Sequence, residues 1–162
     1  MPERLAAEYA KARQASRLGS ILLYLIGFIC ASVFVLYLSA LYLSEIPLVW
    51  WLIPLGSLVS FLASDLFLAE FLRHFGRGSM PFGKGQYKRL LFSALFLAFR
   101  LCLDGLSPIF LNTVSLESVH QFSFVPQDGV DPKLILMVVF LVCLAMVVRY
   151  GDALKEDSDA FV

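Results

Sequence analysis

The chain has 162 residues, 59% of them hydrophobic, and its mean hydropathy is +0.79. Soluble domains are usually about 45–50% apolar, so this composition excludes an ordinary water-soluble domain and points to an integral membrane protein. Thirteen basic residues balance thirteen acidic ones, and no nucleic-acid partner is expected.

Residues 1–19, MPERLAAEYAKARQASRLG, do not read as a signal peptide. Glu3 and Glu8 interrupt the basic stretch, and the apolar run behind it is long enough to span a bilayer. The same acidic residues argue against a mitochondrial transit peptide. The segment is expected to stay on the mature protein.

Four runs are long enough for the ~20 helical residues that cross ~30 Å of hydrocarbon. The first covers about 20–43 and carries no charge. The linker SEIP, 44–47, is so short that the second span, about 47–72, must return antiparallel to the first. Pro47 suits the first turn of that helix, and Trp50 and Trp51 sit where aromatic belts form.

The loop after the second span contains GSMPFGKG, with Gly78, Gly83 and Lys84 at the spacing of a phosphate-cradling loop. That motif needs a strand before it, a helix after it and a Ser or Thr to hold magnesium. Here a membrane span precedes it and Gly85 stands at the hydroxyl position. Nucleotide binding is therefore not expected, and the glycines read as a turn.

The third span covers about 89–106. A loop of about 107–131 follows, with a short interfacial helix expected near 108–120. The fourth span covers about 132–148, bounded by Lys133 and Arg149. The acidic tail, 149–162, is expected to be mobile.

Orientation follows from Lys and Arg. Arg4, Lys11, Arg13, Arg17, Arg73, Arg77, Lys84, Lys88, Arg89, Arg149 and Lys155 fall on one side, and only Lys133 on the other. The positive-inside rule then places both termini and the 73–88 loop in the cytoplasm. Arg73, Arg77, Lys84, Lys88 and Arg89 set topology and face anionic headgroups. The expected fold is an all-α, integral membrane four-helix bundle.

Asp65, Arg100 and Asp104 lie inside the spans. Charges at membrane depth cost at least ~2.5–3.5 kcal/mol each and normally pair toward the bundle interior. Asp65 is roughly 10 Å, and Arg100 roughly 16 Å, from the basic end at ~1.5 Å per residue. Side chains lean toward the helix N-terminus, so Arg100 is expected to reach Asp65 while Asp104 lies at i+4 on its own helix. One reading is a cluster that fixes the register of spans two and three. The other is an ion or proton pathway through Asp65. One guanidinium between two carboxylates favours the first.

Small residues recur at steps of four: Gly27 and Ala31, then Gly56, Ser60 and Ser64, then Ala94 and Ala98. Such rows let helix backbones approach closely. Cys30, Cys102 and Cys143 read as buried apolar side chains. His74 and His120 fall on opposite sides of the membrane and cannot share a metal. Glu70, Arg73 and His74 form an interfacial charge group, and Ser16 and Ser79 follow basic residues as a kinase site would. No cofactor, metal or catalytic activity is expected.

Trp50, Trp51, Pro54, Asp65, Arg100 and Asp104, within about 37–106, resemble the fragile-X-F or transmembrane-protein-185 family and its shorter four-span relatives. The resemblance implies a four-span plan, an endomembrane location and no enzymatic activity, and one relative is linked to calcium handling in the endoplasmic reticulum. The endoplasmic reticulum is thus the expected membrane, with an organellar inner membrane as the alternative. The expected function is that of an accessory or regulatory subunit packing against other membrane proteins. A small ion or proton transporter, or an endomembrane ion-homeostasis regulator, using Asp65, Arg100 and Asp104 is the alternative.

Overall fold

A computed structural model describes residues 2–43, 49–77, 85–112 and 131–160, and all of these but Arg77, Gly85 and Asp131 are helical. The helices are α1 (Pro2–Leu43), α2 (Val49–Gly76), α3 (Gln86–Asn112) and α4 (Pro132–Ala160). Three of them are long and apolar enough to cross a membrane, over Ala10–Ser39, Trp51–Gly76 and Pro132–Leu154. Among the described residues α3 is not in that set, and its central turns carry Arg100 and Asp104.

Local chemistry sets the ends. α4 starts on Asp131, whose Oδ1 accepts from the Lys133 amide at 2.9 Å, with Pro132 at the first helical position. Gly85 has φ +102°, a left-handed conformation that glycine adopts cheaply, and it leads directly into α3. The departure from the phosphate-loop pattern at this position is thus a backbone requirement of the turn. What precedes the loop is the helix α2, and 78–84 lie outside the described residues.

α2 runs on to Gly76 and α3 starts at Gln86, a turn beyond the expected spans, and three further boundaries differ more from the sequence reading. α1 is one helix of 42 residues, so 2–19 continue the first span. Its Ala, Glu, Lys and Arg content explains this, because all are strong helix formers. α3 runs past Leu106 to Asn112, into the region expected to start a separate helix, and 113–130 lie outside the described residues. α4 continues through the tail, expected to be mobile, as far as Ala160.

The helices pack in chain order, α1 on α2, α2 on α3 and α3 on α4, and no other pair reaches backbone-level contact among the described residues. Contacts run in opposite order along α1 and α2. Ser16 meets Leu72, Gly27 meets Asp65, and the Tyr37 and Trp51 rings meet edge-on at 5.9 Å. α2 and α3 are likewise antiparallel, with Ser64 against Ser93 and Ser57 against Asp104.

Burial follows alternating steps of four and three. On α1 the series Ser16, Ser20, Leu23, Gly27, Cys30, Phe34, Tyr37 and Leu41 is buried or half-buried throughout. On α4 the series is Leu134, Val138, Leu141, Ala145, Val148 and Asp152. This is the spacing of left-handed coiled-coil seams. α2 carries two seams, one for each neighbour. Trp51, Leu55, Leu58, Leu62, Asp65, Ala69, Leu72 and Gly76 follow the α1-facing spacing, while Ser57, Ser60, Ser64 and Phe71 lie on the α3 side. Among the described large apolar residues of α2, only a narrow stripe, Leu52, Val59 and Leu66, is exposed.

One apolar core joins α2, α3 and α4, through Phe71, Leu90, Ala94, Leu97, Leu141, Ala145 and Val148. α1 stands outside it. Leu22, Phe28 and Leu36 on α1 are well exposed, as suits side chains that face lipid.

Candidate functional site

The two carboxylates inside the packed region lie at the two different interfaces of α2, Asp65 on α2 itself and Asp104 on α3. Asp65 belongs to the α1-facing seam and Asp104 to the α3-facing one. Each acquires its surroundings from the small residue opposite.

Asp65 is 6% exposed and faces Gly27. A Cβ on Gly27 would lie 2.9 Å from Asp65 Oδ2, so a larger residue there would force the carboxylate to shift. Oδ2 has no hydrogen-bond partner among the described residues. Cys30, one turn along α1 from Gly27, is within electrostatic reach of both Asp65 and Arg100.

Asp104 is fully buried, and its Oδ1 accepts from Ser57 Oγ at 3.0 Å. Its Oδ2 lies 3.5 Å from Arg100 Nε, yet neither atom is aligned for a hydrogen bond. The Arg100 guanidinium stands over the Phe61 ring, 4.9 Å from its centroid, a cation–π contact. Arg100 thus lies level with the middle of α2. Its ion pair among the described residues is with Asp104 on its own helix, not with Asp65 across the interface. Phe61, one turn before Asp65, takes the face of the guanidinium that the sequence reading directed to that carboxylate.

The expected packing residues are placed as follows. Gly56 meets Leu103, where a Cβ would come within 3.1 Å of Cδ1. Ser60 donates to Gly56 O on its own helix. Ser64 and Ser93 hydroxyls lie 2.8 Å apart, and Ser93 also donates to Ser64 O at 3.1 Å. Ala94 is buried in the α3 core and Ala98 is half-buried. Sequence reasoning missed Ser57, Phe61 and Ser93. The spacing of seven between Ser57 and Ser64, and between Ser93 and Arg100, was the available signal. The cysteines correct an expectation: Cys30 is half-buried, but Cys102 and Cys143 are exposed on outward faces.

The basic residues gather where α2 ends and α3 begins. Arg73 Nη1 lies 3.5 Å from Glu70 Oε2, which also accepts from Tyr24 OH at 3.0 Å. Ser16 Oγ donates to Leu72 O at 2.7 Å, and Arg17 Nε to Gly76 O at 2.8 Å. Side chains of α1 thereby cap the last carbonyls of α2, and a cation at a helix C-terminus also suits the dipole. Ser16, raised as a kinase site, is buried in this contact. Arg77 and Lys88 are exposed and Arg89 is half-buried, while Lys84 and Ser79 lie outside the described residues. Arg149 of α4 approaches the Tyr87 ring of α3 at 5.9 Å.

Among the described residues no three His, Cys, Asp or Glu side chains gather closely enough to hold a metal ion. Comparison with protein-family models, with curated proteins and with solved structures found no match to this chain.

Proposed function

We propose that this chain is a non-catalytic, four-span membrane protein that works as an accessory or regulatory subunit, packed against other proteins of an endomembrane. Both termini lie on the cytoplasmic side in this reading, as the basic residues direct. α3 is the fourth span. It runs antiparallel along α2 from the basic end, and its Leu103 is level with Gly56 near the far end of that helix.

The observation that carries the reading is the open order of the helices. α1 buries a single seam against α2 and shares nothing with α4. The outer faces of both remain apolar and available to another membrane protein. The test is chemical crosslinking in native membranes, followed by mild-detergent purification and measurement of subunit stoichiometry. A hetero-complex of fixed stoichiometry supports the reading. A lone monomer or homo-oligomer sinks it.

A second reading has one specific observation in its favour. Asp65 Oδ2 is buried and unbonded among the described residues, as suits a residue that exchanges protons or ions. Proton or cation flux in liposomes that Asp65→Asn abolishes, with the fold intact, would establish a transporter instead.

A further inference from the structure

We infer that Arg100 is the docking point for a transmembrane helix of a different protein, one that carries a carboxylate near its middle. The inference rests on the subunit reading and names the partner's chemistry.

A guanidinium has five N–H donors in a planar fork. Among the described residues Arg100 makes no hydrogen bond. Its contact with Asp104 is 3.5 Å long, from Nε to Oδ2 and without hydrogen-bond alignment, while Ser57 takes the other carboxylate oxygen; both Nη groups stay without an acceptor among the described residues. The Phe61 ring lies against the guanidinium but offers it no hydrogen-bond acceptor. The side chain remains 21% exposed. In hydrocarbon no water takes the remaining donors, so an acceptor must come from a neighbour.

Lipid phosphate does not supply it. Arg100 stands level with Phe61, inside the Trp51–Gly76 stretch of α2, and roughly 16 Å from the basic end of its own helix. That is near the middle of a hydrocarbon layer ~30 Å thick. A second copy of this chain does not supply it either. The chain's carboxylates at this depth are Asp65 and Asp104, 6% and 0% exposed, and neither can reach across to another molecule. A foreign helix with Asp or Glu at mid-membrane supplies what is missing, because a carboxylate accepts two parallel N–H bonds from the guanidinium fork.

The test uses the full chain in lipid vesicles and leucine-rich transmembrane peptides as probes. One peptide has Asp at its centre, one has Leu there and one has Lys. Association is read by energy transfer between labels. The wild type is expected to bind the Asp-centred peptide about tenfold more tightly than the Leu-centred one. Arg100→Gln should lose that preference, Arg100→Lys should keep part of it, and Arg100→Glu should shift it to the Lys-centred peptide. Equal binding of the Asp and Leu peptides by the wild type overturns the inference, and so does undiminished preference in Arg100→Gln. If Arg100→Gln unfolds by circular dichroism, the wild-type comparison and the Arg100→Lys variant decide alone. A native hetero-complex that survives Arg100→Gln sinks this inference but leaves the subunit reading standing. Absence of any hetero-complex sinks that reading, while the peptide preference is judged separately.

Discussion

Gly27 of α1 and Asp65 of α2 face one another so closely that a methyl group on Gly27 would sit 2.9 Å from the carboxylate oxygen. Asp65 is almost fully buried there, so either its carboxylate or the helix backbone must give way. Gly27→Ala should therefore push α1 off α2 and cost about 1–3 kcal/mol, the usual range for overpacking. The check is unfolding in mixed micelles. Removing the carboxylate as well, in Gly27→Ala/Asp65→Ala, should restore part of the loss, because coupled neighbours are not additive. Additive losses would show that the contact is not the cause.

Ser57 holds the Asp104 carboxylate across the α2–α3 seam. Ser57→Ala leaves a buried acceptor short of a donor and should cost about 1–3 kcal/mol. Ser60→Ala is the control, since Ser60 bonds only within its own helix. It should cost clearly less in the same unfolding assay.

Arg17 and Ser16 close the carbonyl end of α2. Arg17→Ala and Ser16→Ala should raise amide exchange in the last turn of α2 and leave exchange near Ser57 unchanged. Uniform acceleration along the whole helix would mean global destabilisation instead. The hydroxyl of Ser16 should also resist kinases while α1 and α2 remain packed.

Gly85 occupies a left-handed conformation with open space around its Cβ position. Gly85→Ser completes the letters of a phosphate-binding loop. It should bring no ATP binding and should cost about 1–2 kcal/mol, the strain of a side chain in that conformation. Saturable nucleotide binding in this variant would contradict the reading of the loop as a turn.

Cys102 and Cys143 face outward, while Cys30 sits half-buried in the α1 seam. A lipid-soluble maleimide should modify the first two well before Cys30. The rates can be read by mass spectrometry of the intact chain. Faster reaction at Cys30 would place α1 differently.

α1, α2 and α4 were legible because apolar runs of membrane length leave few alternatives. Small residues such as Gly27, Gly56 and Ser64 also marked the faces that pack. The charges were harder to place. Residue spacing put Asp104 on the Arg100 face, but the direction of the guanidinium depended on the Phe61 ring, which belongs to another helix. Rotation of α2 decided that Asp65 and Ser57 serve different neighbours, and rotation is set by packing against both at once. The helical continuation of α1 back to Pro2 was hidden by its charges, which read equally well as a solvated arm.

The Arg100–Asp104 pair has a consequence for how the protein is made. α1, α2 and α4 each present a window apolar enough to enter the bilayer as they leave the ribosome. In the proposed four-span arrangement α3 brings two central charges into the bilayer, at about 2.5–3.5 kcal/mol each. Ser57 and Phe61, which offset that cost, arrive with α2. The third helix should therefore insert poorly alone in a glycosylation-mapping reporter and well behind α2, which makes the two a single unit of biogenesis.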